Sequence, residues 1–216
     1  MSEVVVGLTD YLLTIECGLF AGILMRLDSA WPEIRRHFAV FFSSLALTSL
    51  AGGTYHVWLS DSSSALADLL WRTTVVALGA VAFGAWAAGA TLLFAQPTRT
   101  WAIRTALAEF LAYSVYVAAV DDRFLVAIAN YIPAAVFLAA AFALAHRRRP
   151  APPVLMGLAG LVVTGIAATI QRSGFSVHPH YFNHNATYHL TQGIGLFLIF
   201  LAALYFVRNP LRGARI

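Results

Sequence analysis

Seven apolar stretches, each long enough to cross a bilayer and parted by short polar turns, constrain this chain more than any other feature. They run over about 4–27, 37–58, 65–94, 100–120, 124–146, 152–171 and 184–207. A spanning helix needs roughly 20 mostly apolar residues. Backbone N–H and C=O groups surrounded by hydrocarbon must pair within the segment, so stretches of this length are helices. Composition agrees, with 60% hydrophobic residues, 11% charged residues and a mean hydropathy of +0.74. A soluble domain could not hide that much apolar surface. The expectation is an all-α, seven-transmembrane helix bundle in which residues 1–216 form a single integral membrane domain.

The formal net charge of +4 would suggest a nucleic-acid partner in a soluble protein, but the arginines sit in short loops and so report topology. With the N-terminus outside, Arg26, Arg35, Arg36, Arg99, Arg104, Arg147, Arg148, Arg149, Arg208, Arg212 and Arg215 fall inside. Only Arg72, Arg123 and Arg172 fall outside. Eleven of the fourteen on one side is the asymmetry of an odd number of spans with a cytoplasmic C-terminus. The N-terminal tail carries Glu3 and no basic residue, and no small-residue cleavage site follows, so the first stretch reads as an uncleaved span. Lysine is absent, which excludes a retinal Schiff base. The single cysteine, Cys17, can make no intrachain disulfide. The Ala- and Arg-rich, lysine-free composition suits a bacterium of high genomic GC content and hence its plasma membrane.

Small residues at four-residue spacing, Ala80, Gly84 and Ala88 in the third stretch and Gly160, Thr164 and Ala168 in the sixth, predict close helix packing. Pro133 marks a place where the fifth helix can kink. Ionisable residues cost several kcal/mol in a bilayer unless paired or hydrated. By that rule Asp10, Glu16 and Glu109 are the deep residues: Glu16 and Glu109 are expected to face the bundle interior, Asp10, near the outer end of the first stretch, has the headgroups within reach, and a structural polar network is open to all three.

Histidine carries the sharpest chemical signal. His56, His178, His180, His184 and His189 all lie at or near the outer ends of spans. The second stretch runs outward to His56 in Gly-Gly-Thr-Tyr-His-Val-Trp. The third begins near Asp68, and the seventh begins in Asn-His-Asn-Ala-Thr-Tyr-His-Leu. Three antiparallel spans therefore place His56, Asp68 and His189 at one depth, as imidazole and carboxylate ligands of a shared metal require. His178 and His180 read as solvated loop residues.

These segments resemble the superfamily of alkaline ceramidases, adiponectin receptors and progestin receptors, seven-helix membrane hydrolases, and are most similar to its alkaline ceramidase branch. That family's pattern is Ser-x-x-x-His late in the second helix, an Asp about a dozen residues on, and His-x-x-x-His in the seventh. His56, Asp68 and His189 match it residue by residue, and the run Asn-Ala-Thr-Tyr-His-Leu-Thr-Gln-Gly-Ile-Gly looks like a ceramidase seventh helix. The resemblance implies zinc held by histidines, with the Asp and Ser bonded to metal-bound water or the reacting carbonyl. Two departures stand out: Asn185 replaces the first histidine of the seventh helix, and Gly52 replaces the serine. His184 is the nearest substitute ligand. It lies about 140° around a helix from His189, against about 40° for Asn185, and reaches a metal only if the helix begins after it. Either Asn183 or Asn185 could cap the helix. Ser49 lies on the face of His56 but about two turns deeper.

The expected centre thus has zinc on His56, His189 and either His184 or Asp68, and where His184 is the third ligand Asp68 is the base that takes a proton from zinc-bound water. Asn185, Ser49 and Tyr188 are the candidate substrate contacts. A pocket among apolar helices points to membrane lipids or another amphiphilic small molecule, so the leading expectation is a zinc-dependent hydrolase of a lipid amide or ester. The rival is a non-enzymatic lipid or small-molecule binder or sensor of the same architecture. Transport ranks last, because the chain shows no internal repeat.

Overall fold

Seven helices form in the computed structural model of the chain, which describes residues 2–178 and 182–210. They are α1 Ser2–Arg26, α2 Pro32–Trp58, α3 Ala65–Leu93, α4 Thr98–Ala119, α5 Phe124–Arg148, α6 Pro152–Ser173 and α7 His184–Arg208. All seven are long and apolar enough to cross a membrane. The boundaries follow local chemistry. Proline stands in the first turn of α2 and α6, where its missing N–H costs nothing, and the side chains of Ser64 and Asn183 cap α3 and α7. The second helix begins five residues before the apolar stretch does. Its first turn is polar, and Glu33 pairs there with the buried Arg99 at 3.0 Å. Pro133 is accommodated inside one uninterrupted α5.

Helix polarity follows from contacts at the two ends. Thr9 of α1 meets His189 of α7, and Tyr55 near the end of α2 meets Trp71 near the start of α3, so the odd-numbered helices begin at one end, which we call the upper end. At the lower end Ser29 donates to the Val207 carbonyl and Arg35 to that of Leu27. One core runs through α1, α2, α3, α5, α6 and α7, and α4 packs mainly on the flank of α3.

Small residues set the closest approaches. A Cβ on Gly160 would stand 2.5 Å from the Gly195 carbonyl oxygen, and one on Gly84 would stand 2.9 Å from the Phe41 backbone, so two stretches predicted to pack closely do so. Another close crossing joins α1 to α2. There a Cβ on Gly7 would meet the Gly53 carbonyl at 2.8 Å, and one on Gly53 would meet Asp10 Cβ at 2.8 Å. In the middle of the bundle Phe20 stacks on Phe200 at 4.1 Å between ring centres, and Phe42 packs edge-on to both, closing the interior.

Candidate functional site

Above that aromatic cluster the helices part around a chamber of about 220 Å³. Its wall is built from α1, α2, α3, α6 and α7 and from Phe124 at the start of α5. It holds His56, His189, Asn185, Tyr188 and Ser49, five of the seven residues that sequence reasoning singled out. The other two are not brought there. Asp68 is exposed in the first turn of α3, one turn above Trp71, which does line the chamber. His184 is the first residue of α7, since Asn183 accepts from the Ala186 N–H as N-cap; the helix therefore includes His184 and carries it to a different face from His189.

The carboxylate in the chamber is Asp10. It is buried, and its Oδ1 stands 3.3 Å from His189 Nε2. The reading in which Asp10 faces headgroups is corrected by the α1 helix itself. Asp10 falls on the stripe Val6, Leu13, Cys17 and Leu24 that α1 buries, and the glycine crossing draws that stripe onto α2. The spacing of this stripe was the signal that could have found it. The Asp10 Oδ2 lies 3.8 Å from where a Cβ on Gly52 would be, so the acid occupies space beside the position at which the resembling family carries serine.

His189 is engaged at both ring nitrogens. Its Nδ1 shares a hydrogen bond of 2.9 Å with the Thr9 hydroxyl, which also lies 2.7 Å from the Val6 carbonyl, and its Nε2 faces Asp10. Nearer the upper surface, His56 Nδ1 pairs with Glu3 at 2.7 Å. Asn185 accepts at 3.4 Å from Gln171 of α6.

Zinc is the test of the expected centre, because it needs three ligands converging at about 2.0–2.1 Å for imidazole. Among the described residues no group of three His, Cys, Asp or Glu side chains has that arrangement. His189 has one ring nitrogen bonded to Thr9 and the other turned to Asp10. The grouping that the chamber does show is this buried acid–imidazole pair, with His56 on the same wall.

A second chamber, of about 290 Å³, continues from the first. The two share Leu45, Leu78, Phe124, Gln171, Tyr188 and Gln192. Its wall is otherwise nearly all apolar, and it reaches the outer face of the bundle between α5 and α6, where Ile132, Val136 and Val162 are more than half exposed. Sequence reasoning named Asp10 without placing it in the site, missed Thr9, Gln171 and Gln192, and did not foresee this lateral opening.

The remaining polar residues lie elsewhere. Glu16 is half-buried in a groove between α1 and α7, its carboxylate over Gly193, and makes no hydrogen bond to a described residue. Glu109 is half-buried on α4, away from both chambers. His37 bonds Thr91 near the lower end. His178 is exposed and pairs through its backbone with Phe182, while His180 lies outside the described residues.

Residues 5–207 match the model of a family described as a family of unknown function, DUF6962. No curated protein and no solved structure matches the chain.

Proposed function

We propose that this chain, which belongs to the family of unknown function DUF6962, binds an amphiphilic lipid-like molecule drawn sideways from the bilayer. One observation carries the reading: an apolar chamber open between α5 and α6 leads into a polar chamber holding Asp10 and His189. An apolar tail fits the first and a hydrogen-bonding head the second, which is the division of labour of small-molecule sites. The aromatic cluster of Phe20, Phe42 and Phe200 closes the path downward, which favours a binding site over a conduit. By the arginine asymmetry the upper end faces outward, so the polar chamber lies in the outer half of the membrane, with the C-terminus in the cytoplasm. A bacterial plasma membrane is the proposed location.

The test is lipid analysis of the purified protein. Gly165 lines the lateral chamber and a Cβ there meets nothing within 4 Å, so Gly165→Trp fills the chamber without disturbing the helix contacts. Wild-type protein is expected to retain about one amphiphile per chain through purification, and Gly165→Trp to lose it. If neither retains any species beyond what an unrelated membrane protein carries, the binder reading fails.

One observation favours a second reading, hydrolysis of a lipid amide or ester: His56 and His189, the two histidines that match the ceramidase pattern, line the same chamber as a buried carboxylate. Zinc measured by elemental mass spectrometry separates the two. About one zinc per chain, lost in His56→Ala, would restore the hydrolase.

A further inference from the structure

The two chambers meet at Gln192, a residue that neither reading assigns. Gln192 stands one turn beyond His189 on α7, lines both chambers and is only 7% exposed, yet it makes no hydrogen bond to any described residue. Ser49, 6% exposed and in the same polar chamber, is also without a hydrogen-bond partner among the described residues. The Thr48 hydroxyl beside it is buried and unpaired as well. A carboxamide offers two donors and an acceptor with two lone pairs, and leaving such a group unmatched in an apolar bundle costs about 1–3 kcal/mol. Three neighbouring unmatched groups, two of them more than nine-tenths buried, mark a place built to be matched from outside the chain.

Charge limits what does the matching. No arginine lines either chamber, and the one carboxyl group is Asp10. A phosphate or carboxylate head would therefore bring negative charge beside an acid, with no arginine and only the imidazoles of His56 and His189, already paired with Glu3 and Asp10, to compensate it. Resting on the binder reading, we infer that Gln192, together with Ser49, reads the uncharged, hydroxyl-bearing head group of a lipid whose chain lies in the lateral chamber. Gln192 accepts from a head-group hydroxyl and donates to a head-group oxygen, and the hydroxyls of Ser49 and Thr48 serve either role.

Two probes with one acyl chain test this: 1-oleoylglycerol, an uncharged diol, and 1-oleoyl lysophosphatidate, which adds a phosphate. Binding to the full-length protein in detergent is read by native mass spectrometry. Oleoylglycerol is expected to bind at least tenfold more tightly than the lysophosphatidate. Gln192→Leu, similar in volume and free of unmatched polar atoms, should weaken it about five- to tenfold without lowering the melting temperature. Ser49→Ala, the second and gentler variant, should weaken it about threefold. Equal or tighter binding of the lysophosphatidate overturns the charge argument. Unchanged oleoylglycerol binding in both Gln192→Leu and Ser49→Ala, with loss in Gly165→Trp, shows that the chamber is used but that water satisfies these side chains, and so overturns the inference while the binder reading stands. Probe binding that is indifferent to Gly165→Trp overturns both.

Discussion

Thr9 holds His189 through Nδ1 at 2.9 Å, which leaves Nε2 for Asp10 at 3.3 Å. The acid and the imidazole are then paired in a buried place. Removing one partner strands a buried polar group, whereas removing both does not. Asp10→Leu and His189→Leu are therefore each expected to lower stability in detergent by about 1–3 kcal/mol. The double variant should fall short of their sum by at least about 0.5 kcal/mol. Strict additivity in thermal melts would mean that the two side chains do not act together. His189 was legible because its flanking residues carry a motif. Asp10 was not, because a single acid near a helix end reads equally as a surface residue until the packing of α1 is known.

The α1–α2 crossing shows how one helix element builds the site. Gly7 and Gly53 bring the backbones so close that Asp10 is held against α2. Gly53→Ala would place its Cβ 2.8 Å from Asp10 Cβ and 3.0 Å from the Gly7 carbonyl oxygen, and neither is the end of a flexible side chain. Overpacking of this kind costs about 1–3 kcal/mol. Gly18→Ala and Gly22→Ala, whose new Cβ atoms meet nothing within 4 Å, should be neutral or slightly stabilising. If all three variants melt alike, the crossing is not as close as described. The seventh helix makes the same point through its cap. Two asparagines competed for the role in the sequence, and the Asn183 bond to the Ala186 N–H sets the register that takes His184 off the face of His189.

At the scale of the whole molecule, six helices enclose the core and the fourth leans on the third, so the chambers belong to a bundle that α4 only flanks. The proposed orientation has a direct test. Cys17 is buried, so an impermeant thiol reagent has little background target in an otherwise wild-type chain. In intact cells Ser63→Cys, in the exposed turn between α2 and α3, is expected to react, and Arg148→Cys to stay unlabelled until the membrane is opened. The reverse pattern inverts the molecule and moves the polar chamber to the inner leaflet. The number of helices, their approximate limits and the small-residue contacts were legible in the sequence because the bilayer imposes a length and a polarity that a linear pattern records directly. That His56 and His189 lie toward the same end of the bundle was legible for the same reason. Depth, however, is one coordinate. Which residues at that depth face one another depends on how each helix is rotated about its axis and on where two backbones touch, and those are set by packing between segments far apart in the chain. Tertiary structure alone therefore left Asp68 outside, brought Asp10 to His189, and opened the lateral chamber between α5 and α6.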